Sequence, residues 1–345
     1  MQNRTILVTG ATGFIGTKLV EKLLDRGYFV RGVGRSESPK LPQGEIVDES
    51  KLWKHPHFQY FRGDILDKES LERAMEGCDG VIHLAAYAKN WHKDRSTFDK
   101  FNIEGTRNVL EAAKKNGVQK IVCTSSIVTL GVTPKGVVGD ENMPRQSEKC
   151  FTDYERTKLI SERECLEAAR RGEYPIVVVN PTRVFGPGQL SESNSVVLLM
   201  RLYESGKFPF LINFGKNVGN YVLVDDVAEG MILALERGKI GERYILGSDN
   251  LTLRKIYELV DEFRGSKGFK FPIWLMWPMI VSYSLLIFAR LTGVYPIITP
   301  GWVRTFSTDA AFSSEKAKKE LGYLPTPSHE AFRLTYEWIH STLEK

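Results

Sequence analysis

Along the first half of the chain, short apolar runs rich in β-branched residues alternate with segments of helical periodicity. The runs are TILVTG (5–10), YFVRGVG (28–34), FQYFRGD (58–64), GVIHLAA (80–86), KIVCTSS (120–126) and PIVVVNP (175–181). They lack the polar alternation of a strand with one wet face, so they read as strands buried on both sides. Between them, FIGTKLVEKLLDRG, STFDKFNIEGTRNVLEAAKKNG and YERTKLISERECLEAARRG repeat apolar residues at helical spacing. This order predicts a doubly wound parallel sheet of the α/β class.

Beyond Pro181 the rhythm loosens. RVFGPGQLSESNS reads as loop, VVLLMRLYESGK as helix, and YVLVDDVAEGMILALERG as a short strand running into a helix. ERYILGS (242–248) is a further strand ahead of the helix TLRKIYELVDEFRG. With no repeat or linker in view, residues 1–182 are expected to form the sheet domain, with 219–250 returning to it. Residues 183–218 and 251–345 then make a smaller, interleaved substrate lobe. FPIWLMWPMIVSYSLLIFA (271–289) carries no charge. It is expected to cover an apolar pocket, the alternatives being a helix lying in a membrane interface and a membrane span.

The first strand ends in TGATGFIG, with Gly10, Gly13 and Gly16 spaced by three at the entrance to a helix. Strand, G-x-x-G-x-x-G and helix together form a dinucleotide-binding turn. Glycine lets the chain turn and lets a pyrophosphate approach the backbone, and the helix N-terminus offers amide hydrogens to it. The sheet is therefore expected to be of the Rossmann type. At the end of the second strand an acid would hold the adenosine ribose of NAD, whereas VRGVGRSES places Arg35 and Ser36 there. A guanidinium at that point pairs with a 2′-phosphate, which favours NADP(H) over NAD(H). Asp64 can accept from an adenine amino group or simply cap its strand.

Composition narrows the picture only modestly. The 345 residues carry a formal net charge of +5 with no basic block, which gives no reason to invoke nucleic acid. The four cysteines, at 78, 123, 150 and 165, lack metal-ligand spacing, and no metal is expected. With Met1 close to the first strand, no leader is expected and a cytoplasmic setting is.

Tyr154 and Lys158 lie four apart in YERTK, one turn of helix from each other. An ammonium beside a phenol favours the phenolate, which would make Tyr154 a proton donor and acceptor near neutral pH. A serine pair, Ser125 and Ser126, closes the fifth strand, at the sheet edge where such folds bind ligands.

TGATGFIG, RGDILD (62–67), HLAA (83–86), NIEGTRNVLEAA (102–113), TSS (124–126), YERTK (154–158), PTRVFGPG (181–188) and YVLVDDVAEG (221–230) occur in that order. Together they resemble the extended short-chain dehydrogenases/reductases, the NAD-dependent epimerase/dehydratase group. The C-terminal stretch 312–339 is similar to 3β-hydroxysteroid dehydrogenase-like and dihydroflavonol reductase-like members. The resemblance implies that Ser126 orients the substrate oxygen, with Ser125 as the alternative, that Tyr154 moves the proton, and that Lys158 also holds the nicotinamide ribose. It implies a cofactor site of Gly10, Thr12, Gly13, Phe14, Ile15, Gly16, Arg35, Ser36, Asp64 and Ile65, continued by Leu84, Ala85, Ala86, Thr124, Tyr154, Lys158, Pro181 and Arg183. Asn102 is expected to tie backbone segments together.

For the substrate side, Tyr87, Trp91, Ser126 and Phe185 are the candidates. The implied activity is hydride transfer between NADP(H) and a ketone or secondary alcohol on a hydrophobic, lipid-, steroid- or flavonoid-like molecule. A nucleotide-sugar epimerase or dehydratase holding NAD is the first alternative, and a non-catalytic NADPH-binding protein the second. Peripheral membrane contact through 271–289 and a homodimer built on helices that include 98–116 and 152–170 complete the expectations.

Overall fold

The computed structural model describes residues 4–39 and 52–343. Seven strands form one sheet in the order β10-β6-β5-β4-β1-β2-β3, every neighbouring pair parallel. They are β1 (Thr5–Thr9), β2 (Phe29–Gly34), β3 (Phe58–Arg62), β4 (Gly80–His83), β5 (Lys120–Thr124), β6 (Ile176–Pro181) and β10 (Arg243–Leu246). The six apolar runs are thus the first six strands of this sheet. Ile6 and Val8 of β1 enter the core on one face with Val122, Val177 and Val179. Leu7 enters the other with Ile121, Ile176 and Val178. Side chains alternate across a strand, so a sheet covered twice needs every position apolar.

Helix α1 (Phe14–Asp25) carries Leu19, Val20 and Leu23 on its inner face, and Gly27 ends it with a positive φ of 78°. It packs beside α7 (Val224–Arg237) on one face of the sheet. The other face is covered by α2 (Lys68–Met75), α4 (Gly105–Lys115) and α5 (Asp153–Arg170). Short α3 (Ser96–Asp99) leads into α4 through a π turn, Lys100–Glu104. Neighbours of β1 lie on opposite sides of it, β2 and β4, so the strand order reverses there. A crevice opens beyond the carboxyl ends of strands at such a point.

Within 219–250, β10 joins the seven-stranded sheet and α7 packs on its face. β9 (Val218–Leu223) instead pairs with β7 (Arg183–Phe185) and β11 (Asn250–Thr252) in a separate three-stranded sheet. Its hydrogen bonds to the 183–185 strand draw it into the second lobe. α6 (Ser195–Glu204), α8 (Leu253–Arg264) and α12 (Ser328–Trp338) share that lobe's core, where Tyr203 and Tyr257 stack 3.9 Å apart. α11 (Glu315–Leu321) packs back on α7. β8 (Phe210–Ile212) and β12 (Phe271–Ile273) form a two-stranded edge leading to α9 (Met276–Thr292) and α10 (Pro300–Thr305).

α9 is neither a span nor the expected pocket cover. Among the described residues no helix is long and apolar enough to cross a membrane. Small Ser282 and Ala289 face the protein, while Trp277, Ile287 and Leu291 face solvent. α9 rests on α10, which reaches the pocket in its place.

Candidate functional site

The crevice at the switch point is a cleft of about 760 Å³ between the sheet edge and the second lobe. Its floor begins at the glycine turn. Gly10 has φ 73°, and a Cβ there would sit 2.9 Å from the Ala85 nitrogen. A Cβ on Gly16 would run into the Gly10 carbonyl oxygen. Gly13 donates to that same carbonyl at 3.0 Å and caps α1 without any side-chain bond. The first turn of α1 carries no acid, so its amide hydrogens present a positive end to the cleft.

A buried chain of hydrogen bonds fixes the opposite rim. Thr9 Oγ1 accepts from the Leu84 and Ala85 amides at 3.2 Å each, leaving its proton for His83 Nδ1 at 2.7 Å. The ring therefore carries its own proton on Nε2 and gives it to Thr106 Oγ1, 3.1 Å away. Thr106 passes the chain on to the Asn102 carbonyl at 2.9 Å. Burial, with Lys158 adding to it, drives the His83 pKa down to about 3, so the imidazole is neutral. Asn102 takes the Tyr87 amide at 2.7 Å and donates to Thr157 at 2.9 Å, tying the loop after β4 to α5.

α5 carries two of the candidate side chains, Tyr154 and Lys158. Thr152 accepts from the Glu155 amide at 3.0 Å, and Glu155 accepts from the Phe151 amide at 2.7 Å. Arg145 grips Glu155 at 2.6 Å in a buried pair, so the first turn is firmly set. Tyr154 and Lys158 consequently line the cleft, on whose wall Ser126 also lies. The Lys158 Nζ donates to the Thr124 carbonyl at 2.9 Å. The expected lowering of the phenol pKa by Lys158 is not what the structure gives. Burial raises it, and the contribution that lowers it is the Ser126 hydrogen bond. Burial also brings the Lys158 pKa down to about 8, against smaller raising contributions from Cys123, Cys165 and Glu162.

The two serines separate through a carboxylate that sequence reading missed. Ser125 donates to buried Glu162, whose Oε2 also accepts from Thr129 at 2.6 Å and Asn180 at 2.7 Å. Arg243 of β10 holds Glu162 Oε1 at 2.9 Å. Ser125 is thereby held on Glu162, while Ser126 accepts from the Val128 amide at 3.5 Å. Glu162 follows Lys158 by the same four residues that separate Lys158 from Tyr154, a spacing that was readable in the sequence.

The cleft brings together Thr12, Phe14, Ile15, Arg35, Asp64, Ile65, Leu84, Ala85, Ala86, Tyr87, Thr124, Pro181 and Arg183 with the glycines and the catalytic candidates. Arg35 is exposed at its edge, its guanidinium 5.7 Å from the Phe101 ring centre. Asp64 lines the cleft and accepts from the Leu66 amide at 3.0 Å. Three candidates stand outside the lining. Ser36 turns its hydroxyl to the Ser38 carbonyl at 2.6 Å and to Tyr60 at 3.1 Å. Trp91 packs edge-on against Tyr295, and Phe185 is fully buried on Phe332 at 4.2 Å. Asn90 and Glu192 line the cleft instead, joined at 2.9 and 2.7 Å, and Tyr295 donates to Glu192 at 2.7 Å.

These residues fit a nicotinamide dinucleotide. The glycine cradle leaves no room for a Cβ, the capless helix end suits a pyrophosphate, and the buried Thr124 hydroxyl on the cleft wall has no protein partner. Among the described residues no cluster of side chains is arranged to hold a metal ion.

Comparison with known proteins agrees with this geometry. A model described as the NAD dependent epimerase/dehydratase family matches residues 6–247. A provisionally named dihydroflavonol 4-reductase from Synechocystis sp. is 32% identical, with 97% of this chain and 94% of that protein covered. Sterol demethylase protein B of Methylococcus capsulatus is 30% identical over 97% of this chain and 98% of its own. The crystal structure of a Bacillus cereus UDP-glucuronic acid 4-epimerase in complex with NAD superposes with a TM-score of 0.77 at 26% identity. That superposition covers 99% of this chain and 100% of the other.

Proposed function

The chain belongs to the NAD dependent epimerase/dehydratase family, enzymes of the extended short-chain dehydrogenase/reductase type that work on CH–OH groups, and from that premise we propose an NADP(H)-dependent reductase. Its reaction interconverts a ketone and a secondary alcohol on a hydrophobic, sterol- or flavonoid-like molecule. The observation that carries this reading is the gathering of Ser126, Tyr154 and Lys158 on the wall of one cleft with the glycine cradle.

When bound, the nicotinamide supplies or takes up the hydride. Gly10, Gly13, Gly16 and the α1 N-terminus would hold its pyrophosphate, Thr124 and Lys158 its nicotinamide half, and Asp64 and Ile65 its adenosine. Arg35 supports the NADP(H) preference, because it is an exposed cation at the cleft edge at the end of β2, where NAD-specific folds keep an acid. Ser126 orients the substrate oxygen. Tyr154 gives that oxygen a proton during reduction and takes it back during oxidation. Raised by burial, the phenol holds its proton at neutral pH, and the Ser126 hydroxyl offsets part of that rise, easing the release and return of the proton.

Apolar cargo is supported by the sterol- and flavonoid-named relatives and by Tyr87, Val184, Val196 and Phe306 on the cleft wall. Peripheral contact of 271–289 with a membrane belongs to the same reading. The test is NADPH absorbance loss with cyclic apolar ketones. Tyr154→Phe should lower turnover by about a hundredfold or more with NADPH binding intact. Full turnover in that variant would remove Tyr154 from the mechanism.

A further inference from the structure

Fourteen of the twenty-three exposed large hydrophobic side chains among the described residues lie between 269 and 297. They form a continuous face. Phe210, Phe269 and Phe271 abut along the β8–β12 edge, and Trp274, Trp277, Ile280, Ile287 and Leu291 continue it along α9. Trp274 is 69% exposed and Leu291 80%, whereas the seven-residue pair Ser282 and Ala289 is fully buried. A water-facing helix normally buries its large apolar residues and exposes its small and polar ones. α9 does the reverse, so its outer face is built for something other than water.

Charge identifies the occupant. From Phe263 to Thr308 the chain contains no Asp or Glu, but it does contain Arg264, Lys267, Lys270, Arg290 and Arg304. Arg264 and Lys270 are taken up by Asp261. Lys267 and Arg290 stand exposed at the two ends of the apolar face, without an ion pair among the described residues. We propose that this face docks on a bilayer containing anionic lipid, with Trp274 and Trp277 at headgroup depth and Lys267 and Arg290 against the phosphates. A second copy fits less well. A two-fold pairing would set the same acid-free, cationic face against itself.

The docked face adjoins the mouth of the cleft. Beyond α9, Tyr295 bonds Glu192, which with Asn90 lines the cleft rim, and α10 contributes Gly301 and Thr305 to its wall. An apolar substrate leaving the bilayer would therefore have a short path to Tyr154. The inference rests on the membrane contact proposed above and gives that contact its lipid chemistry.

The test is flotation of the full chain with phosphatidylcholine vesicles, with and without phosphatidylglycerol. Wild type should bind the anionic vesicles at least about tenfold better, and salt should weaken the binding. Lys267→Glu/Arg290→Glu should lose about tenfold or more of it, and Trp277→Ser/Leu291→Ser should lose nearly all. All variants should keep wild-type NADPH binding, which reports their fold. Equal binding to both vesicles, unchanged by the charge reversal, would overturn the anionic-lipid inference and leave membrane contact standing. No binding to either would overturn both. A dimer in sedimentation velocity that Trp277→Ser/Leu291→Ser dissociates would reassign the face to a second copy.

Discussion

Lys158 offers the sharpest quantitative test of the site, because it is a cation that the fold must keep where water is absent. Its Nζ is buried, and its pKa falls from 10.5 to about 8. Each tenfold change in proton affinity is worth about 1.4 kcal/mol, so carrying the charge near pH 6 costs the folded protein roughly 3 kcal/mol. Against this, Lys158 makes a hydrogen bond to the Thr124 carbonyl, worth about 1 kcal/mol, that a methionine would lack. Lys158→Met keeps the length of the stem and removes the charge. The variant should be more stable than wild type by about 2 kcal/mol near pH 6. As pH rises from about 8 to about 10.5, wild type sheds the proton when folded while its unfolded chain retains it, so native stability climbs with pH. The advantage of the variant should shrink to almost nothing near pH 10. Urea unfolding of both proteins without cofactor, at the two pH values, measures this. Turnover should fall by about a hundredfold or more at the same time, an exchange of stability for function. A variant less stable than wild type at pH 6, or an advantage that ignores pH, would refute the reasoning.

Other substitutions separate neighbouring roles. Ser126→Ala removes the bond that lowers the Tyr154 pKa, so the limb of the oxidative pH–rate profile that reports the phenol should move to higher pH. Ser125→Ala leaves one donor fewer on Glu162 and should cost about 1–2 kcal/mol of stability in urea unfolding while the profile stays in place. Arg35→Ala should weaken NADPH binding by about tenfold or more in a fluorescence titration and leave NADH unchanged. Equal losses for both nucleotides would place Arg35 on a group that they share.

What the sequence made legible was what depends on burial and on backbone freedom. A strand covered on both faces must be apolar throughout, which is why KIVCT and IVVVN declared themselves. Gly10 combines a positive φ with a wall of backbone 2.9 Å away, and no other residue type serves there. The direction of the Tyr154 pKa was not legible, because spacing places an ammonium near a phenol but does not say which partner it takes. Lys158 bonds Thr124, and burial decides the sign. Apolarity alone suggested that 271–289 covered an apolar pocket. The deciding detail was where the small residues fall, since Ser282 and Ala289 let α9 settle with its large side chains outward. Phe185 failed as a substrate contact because β7 presents Val184 to the cleft and buries its neighbour.

The same helical register links chemistry and architecture in α5. Tyr154, Lys158 and Glu162 occupy successive turns: the first shares the cleft wall with Ser126, the second bonds the end of β5, and the third gathers Ser125 and Thr129 from the segment after β5, Asn180 from β6 and Arg243 from β10. Rotating α5 by one residue, about 100°, would withdraw all three together. The anchor against rotation is Glu162, because turning it away would strip a buried carboxylate of its Arg243 partner and its three neutral donors, a loss of about 3–5 kcal/mol. By holding Glu162, Ser125 fixes the helix that carries Tyr154, so on the proposed mechanism one hydroxyl of the pair positions the acid and the other meets the substrate.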